Sequence, residues 1–422
     1  MTVAPHFQFQ NDTLRAEQVP LTRLAEEFGT PLYVYSRQAL RDAWESYRVA
    51  GEGRKLLVCY GMKANSNLAV LQEFARLGTG FDIVSGGELA RVIAAGGDPG
   101  KVVFSGVGKQ VWEIEAALAA GVKCFNIESE AELERVAEVA ARLNLKAPVS
   151  LRVNPDVDAR THPYISTGLK DNKFGVPIEQ APRIYARAQE LPSLRIVGVD
   201  CHIGSQITEV SPYLDALDKL IKLILALKDQ GVELHHLDLG GGLGIRYTDE
   251  TLVTPTDLLS RVYAALDAHG LGELEIVLEP GRSMVGNAGV LLTRVEYLKH
   301  GETKNFAIID AAMNDLIRPT LYEAWHSVEA VQPRAVTADT PRYDLVGPIC
   351  ESGDWLARDR QLELRQGDLL AIMSAGAYAF TMASQYNTRP RAAEVLVDGE
   401  QVHVIRPRES LESLFASERL LP

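Results

Sequence analysis

Residues 56–84 read LLVCYGMKANSNLAVLQEFARLGTGFDIV, and this stretch decides the fold. Leu56–Tyr60 is an apolar run of strand length, followed by the polar and turn residues Gly61, Lys63 and Asn65. From Leu68 to Leu77 apolar side chains recur at three and four positions, the helical period, and Gly78 stops the pattern. Phe81–Val84 opens another apolar run. Strand, turn, helix, glycine and strand make a βαβ unit.

The same rhythm runs on for about 230 residues. Further strand-like runs occur at Val102–Phe104, Cys124–Ile127, Val149–Val153, Ile196–Cys201, Leu234–Leu239 and Ile276–Leu278, making eight in all. Helical patterns such as Glu130–Leu143, Tyr213–Lys228 and Leu258–His269 separate them. Eight strands alternating with helices is the count for a (β/α)8 TIM-like barrel, and a doubly wound open sheet is the competing arrangement. Polar residues follow many different strand ends: Lys63, Asp82, Glu128, Asn154, His202, Gly240–Gly244 and Glu279–Arg282. A barrel mouth gathers contributions of this kind, which favours the barrel. After residue 285 the runs are β-like without long helices between them, and Asp398-Gly399-Glu400 signals a hairpin. The expected division is a barrel over residues 36–284. Residues 1–35 and 285–422 would form a mostly β second domain, a barrel or sandwich.

The chain has 422 residues, 46% of them hydrophobic and 23% charged, with a net charge of −13. The acidic balance disfavours a nucleic-acid partner, which needs a basic face. The most apolar stretch, Leu214–Leu227, is interrupted by Asp215, Asp218, Lys219 and Lys222, so no membrane span is expected. The N-terminus lacks the basic-then-apolar pattern of a signal peptide. Cys59, Cys124, Cys201 and Cys350 form no C-x-x-C pair, which fits a reducing cytoplasm. No metal is expected: H-E-x-x-H is absent, and the adjacent His235 and His236 point to opposite faces of a strand.

Individually the candidate residues stay ambiguous. Gly240-Gly241-Gly242-Leu243-Gly244 is either a tight turn or a cradle of backbone N–H groups for a phosphate, and Ile245 spoils the dinucleotide fingerprint. Lys63 is either a solvated charge or an amine poised for a Schiff base. His202 is either a satisfied core histidine or a ring that stacks on a cofactor. Glu279 could be a base, a metal ligand, an ion-pair partner or the group that holds a pyridinium protonated. Cys350 could be a buried hydrophobe.

Taken in order, Y-G-M-K-A-N (60–65), G-F-D-I-V-S-G-G-E (80–88), H-I-G-S-Q (202–206), G-G-G-L-G-I (240–245), E-P-G-R (279–282) and G-P-I-C-E-S-G-D (347–354) resemble the barrel-type pyridoxal-phosphate decarboxylases of basic amino acids. The segment 313–326 and the Cys350–Asp354 motif are similar to the diaminopimelate decarboxylases within that group. The resemblance implies pyridoxal 5'-phosphate as cofactor and decarboxylation of meso-diaminopimelate to L-lysine. Lys63 would bond the cofactor, His202 would stack on its ring, and Glu279 would pair with the ring nitrogen. Ser205, Gly241 and Gly281, with Arg282 and Tyr378, would hold the cofactor. Arg282, Arg318 and Tyr322 would take the substrate's distal carboxylate, and Glu351 its distal ammonium, with Tyr378 also touching substrate. Cys350 would protonate the carbanion. A cytoplasmic homodimer with shared active sites is also implied, the β domain completing each site and the dimer interface. A decarboxylase of ornithine, arginine or carboxynorspermidine, a non-catalytic cofactor binder and a racemase are the alternatives.

Overall fold

The computed structural model describes residues 4–158 and 173–422. The chain divides into two compact units. One comprises residues 43–244 and 251–283, the other residues 1–42, 245–250 and 284–422.

The first unit is the barrel. Its eight parallel strands are β1 (Leu56–Gly61), β2 (Gly80–Ile83), β3 (Val102–Phe104), β4 (Cys124–Ile127), β5 (Ala147–Asn154), β6 (Leu194–Asp200), β7 (His236–Asp238) and β8 (Glu275–Leu278). Each pairs with the next, and β8 pairs back onto β1 through Ile276–Leu56, so the sheet closes and the open-sheet alternative is excluded. Helices lie between most successive strands, from Leu68–Leu77 to Pro255–Ala268. Two turns at the carboxyl ends of strands use one device. Ser85 and Ser129 accept the amides of Glu88 and Glu132, whose carboxylates return to the amides of Val84 and Glu128. These reciprocal caps fix where each loop leaves its strand.

Side chains along a strand alternate, so residues two apart share a face. Val103, Cys124 and Val277 belong to an apolar cluster inside the barrel. Two positions further along, Ser105, Asn126 and Glu279 replace apolar groups with polar ones, and all three are buried. The barrel therefore carries a polar layer toward the carboxyl ends of its strands, where barrel enzymes do their chemistry.

The second unit is mostly β. A seven-strand path runs Trp355–Gln361, Arg342–Val346, Asn305–Ile309, Gly289–His300, Leu32–Ser36, Ala393–Asp398 and Gln401–Arg406. The strand from the chain's beginning, Leu32–Ser36, is buried throughout and lies antiparallel to Gly289–His300 and parallel to Ala393–Asp398. The hairpin at Gly399-Glu400 is tighter than the sequence suggests, because Asp398 already pairs with Gln401. Val34, Val290, Leu292, Val395 and Val397 anchor this unit's apolar core. Among the described residues, no helix is long and apolar enough to cross a membrane.

Candidate active site

Lys63 sits in the 3-10 turn Met62–Ala64 that follows β1. Its side chain is 41% exposed, and Nζ donates at 2.5 Å to Oδ2 of Asp82, a fully buried carboxylate on β2. Asp82 is thus the group that holds the amine at the mouth. Glu279 directly follows β8, with Oε1 accepting from Ser105 Oγ and Asn126 Nδ2, each at 3.4 Å. Burial pushes its carboxyl well above the usual range. Repulsion from Asp238, Asp82 and Asp200 adds to this, and the Lys63 ammonium opposes it.

His202 follows β6, and its Nδ1 accepts from the amide of Gly241 at 3.1 Å. Burial, then Arg152 and Lys63, push the imidazole well below its ordinary pKa. The ring is therefore neutral, with its proton on Nε2. This use of the Gly241 amide was not legible in the sequence. A Cβ on Gly241 would lie 2.2 Å from the carbonyl oxygen of Glu279, so only glycine lets the two backbones touch here. Ser205 Oγ accepts from Nη2 of Arg282 at 3.1 Å, which fixes a buried cation at the end of β8. Gly281 lies against Gly61, where a side chain would meet its Cα at 3.4 Å. Lys63, His202, Ser205, Gly241, Glu279, Gly281 and Arg282 thus gather at one end of the barrel.

The remaining candidates belong to the β unit. Arg318 opens the short helix Arg318–Tyr322 and is buried. Its Nη1 donates to His326 Nε2 at 2.8 Å, and His326 Nδ1 donates to the carbonyl of Met373, also at 2.8 Å. The guanidinium also lies 5.0 Å from the centre of the Tyr247 ring, which meets His326 edge-on. Two aromatic rings therefore hold this cation in one orientation. Tyr322 ends the same helix, half-buried. Thr320 Oγ1 donates to the carbonyl of Gly353 at 2.6 Å, tying the helix to the Cys350–Asp354 loop. Asp354 accepts the amides of Met313 and Ile349, each at 2.7 Å, and joins both motifs.

Cys350 is exposed while Cys59, Cys124 and Cys201 are buried, so the buried-hydrophobe reading fails for Cys350 alone. Its amide donates to Asn387 Oδ1 at 3.0 Å. Glu351 accepts from the Tyr386 hydroxyl at 2.5 Å. Tyr378 is half-buried with a left-handed backbone, φ 54°.

Sequence reasoning passed over Arg152, Asp200 and Asp238 in the barrel, and Tyr247, His326, Tyr386 and Asn387 in the β unit. The barrel residues had a signal. Asp200 lies two before His202 and Asp238 two before Gly240, so both share a face with mouth residues inside otherwise apolar strands. Of the β-unit residues, His326 lies within the segment 313–326 but was given no role, and the partners of Tyr386 and Asn387 are more than 30 positions away.

A lysine amine, a carboxylate on the barrel's inner face, a neutral imidazole and a glycine turn that a Cβ would fill suit a pyridoxal ring. The comparisons agree. The profile described as the pyridoxal-binding domain of pyridoxal-dependent decarboxylases matches residues 37–286. A diaminopimelate decarboxylase from Pseudomonas aeruginosa is 61% identical over 416 residues, covering 99% of both chains. The chain belongs to the diaminopimelate decarboxylase family. That family consists of carboxy-lyases within the pyridoxal-dependent decarboxylases. Its member from Vibrio cholerae is 56% identical, again over 99% of both chains. A diaminopimelate decarboxylase from Helicobacter pylori, crystallised with L-lysine, superposes with a TM-score of 0.90 at 42% identity, over 94% of this chain and 99% of that one. The enzyme from M. jannaschii reaches a TM-score of 0.94 at 37% identity, over 100% and 99% of the two chains.

Gly241→Ala follows from the family and the geometry together. The added methyl must push the turn off the Glu279 backbone, an overpacking cost of about 1–3 kcal/mol. Titrating the cofactor by its visible absorbance is expected to show affinity weakened by about 10- to 100-fold.

Proposed function

We propose that this chain uses pyridoxal 5'-phosphate to decarboxylate meso-diaminopimelate to L-lysine and CO2. The observation that carries the substrate assignment is Arg318, a buried guanidinium oriented by His326 and Tyr247 in a helix tied to the Cys350 loop. A planar, fixed guanidinium fits a carboxylate through two parallel hydrogen bonds. An analogue without that carboxylate forfeits both charge-assisted hydrogen bonds, which a site of this kind rejects strongly.

In this reading Lys63 holds the cofactor covalently and His202 covers its ring. Ser205, Gly241, Gly281, Arg282 and Tyr378 bind the rest of it. When bound, the cofactor supplies the electron sink for the pair of electrons left as CO2 departs. Glu279 keeps the proton on the ring nitrogen, without which the sink is weak. Tyr322 and Arg282 assist Arg318 on the distal carboxylate, and Glu351 takes the distal ammonium. Cys350 gives its thiol proton to the α-carbon.

The same reading includes a cytoplasmic homodimer whose partner chain completes the site. The exposed positions of Cys350 and Glu351 support this, and sedimentation velocity tests it.

The direct test is release of CO2 and lysine from meso-diaminopimelate. Faster turnover of ornithine or carboxynorspermidine would overturn the substrate assignment. Arg318→Ala removes a charge-assisted contact worth about 3 kcal/mol, so KM for diaminopimelate is expected to rise by about 100-fold. Steady-state kinetics on both substrate classes check this.

A further inference from the structure

We propose that Asp238 is a neutral carboxyl group that donates its proton to Glu279, making it a positioning residue for the carboxylate at the cofactor ring nitrogen. The proposal rests on the role given to Glu279 above.

The polar layer of the barrel holds four buried carboxylates, Asp82, Asp200, Asp238 and Glu279, with Arg152 among them and Lys63 at the mouth. The cations are already assigned. Lys63 pairs with Asp82. Arg152 donates to Glu128 at 3.1 Å, and its Nε lies 3.9 Å from Asp200. Asp238 and Glu279 have no ion-pair partner among the described residues. Yet Asp200, Asp238 and Glu279 bring carboxylate oxygens within 4.8 Å of one another. With Asp200 facing Arg152, the other two lie too close in a buried site for both to be ionised, so the Asp238–Glu279 pair retains one proton.

Hydrogen bonding shows where that proton is useful. Asp238 Oδ1 accepts from the amide of Gly240 at 2.8 Å. Its Oδ2 is buried and receives no hydrogen bond; Oδ1 of Asp82 and of Asp200 are bare too, but those two acids face Lys63 and Arg152. As an ion, Asp238 would leave that oxygen bare at a cost of about 1–3 kcal/mol. As a neutral carboxyl it carries an O–H, with a second carboxylate beside it to accept. Glu279 receives Ser105 and Asn126 on Oε1, and a cationic ring nitrogen favours its ionised form, so the proton rests on Asp238. Burial and Asp82 push the Asp238 carboxyl up to about 7, against the pull of the Gly240 amide, Glu279 and Arg152. Burial raises Glu279 as well, so it is the ring nitrogen's charge that would leave the shared proton on Asp238. Neutral Asp238 no longer repels Glu279 or Asp200. A neutral group below thus keeps Glu279 an anion above.

Infrared spectroscopy of the holoenzyme tests this directly. Wild-type protein carrying aspartate labelled with ¹³C at the side-chain carboxyl is expected to show a protonated-carboxyl stretch at neutral pH that shifts with the label. Asp238→Asn should lose that band, whereas Asp200→Asn and Asp315→Asn, which remove two other buried acids raised by burial, should keep it. The amide of Asp238→Asn still donates to Glu279, so kcat and cofactor affinity should each fall by only about threefold, against about 30-fold for Asp238→Ala.

Absence of a label-sensitive band in wild type overturns the proposal, whether or not the variants fold. So does loss of the band in Asp200→Asn instead, or a 100-fold loss of kcat in a folded Asp238→Asn. A stoichiometric divalent cation in elemental analysis would also overturn it, because a metal rather than a proton would then neutralise the cluster. Glu279→Gln separates the two readings. If it leaves kcat and the cofactor absorbance unchanged, the role of Glu279 fails, whatever the Asp238 band shows.

Discussion

Lys63→Ala is expected to remove the cofactor's visible absorbance and to lower kcat by roughly 10⁴-fold, the upper range for a group that also moves protons. The geometry adds a second effect. Asp82 is fully buried and takes its ion pair from Lys63, so the alanine variant strands a buried charge. Breaking such a pair costs about 3–5 kcal/mol, which a lowered Tm would register. Lys63→Arg separates the two. It keeps a cation for Asp82 and should recover stability, but a guanidinium does not deprotonate to bond the cofactor. Activity in Lys63→Ala above one tenth of wild type would remove Lys63 from the chemistry.

Cys350→Ala is expected to lower kcat by about 10²- to 10³-fold while KM for diaminopimelate changes little, because the role proposed for the thiol is to give a proton and not to bind. The loop should keep its shape without the sulfur. The amide of residue 350 holds Asn387, and Asp354 anchors the loop through two backbone contacts. Cys350→Ser retains a hydroxyl and should recover part of the loss. Steady-state rates that stay within threefold of wild type in Cys350→Ala would assign the proton to another group.

The barrel was legible because each βα unit repeats one local pattern, and polar residues after many different strand ends favoured closure over an open sheet. The mouth residues Lys63, His202, Glu279 and Arg282 could be found because each directly follows an apolar run. The β unit was legible only as a class. Its central strand Leu32–Ser36 pairs with partners more than 250 positions away, and no local period encodes such pairing. The strand Trp355–Gln361 and the helix Arg318–Tyr322 were missed for related reasons. One alternates weakly and the other is too short to show a period. Asp238 was overlooked because a lone acid in a strand reads as a break in the apolar pattern, and only the barrel's closure reveals which acids face each other.

The placement of Leu32–Ser36 also bears on how the chain folds as it is made. This strand is synthesised about 360 residues before its parallel neighbour Ala393–Asp398. At about 5–20 residues per second, the ribosome needs on the order of tens of seconds to supply that neighbour. Throughout that interval Leu-Tyr-Val-Tyr-Ser is an unpaired, strand-prone segment, the kind that recruits other chains. The barrel lies between the two strands in sequence, so all of its residues emerge before Ala393–Asp398. Completion of the β unit is therefore a late event in biogenesis, and Leu32–Ser36 stays without its parallel neighbour until then.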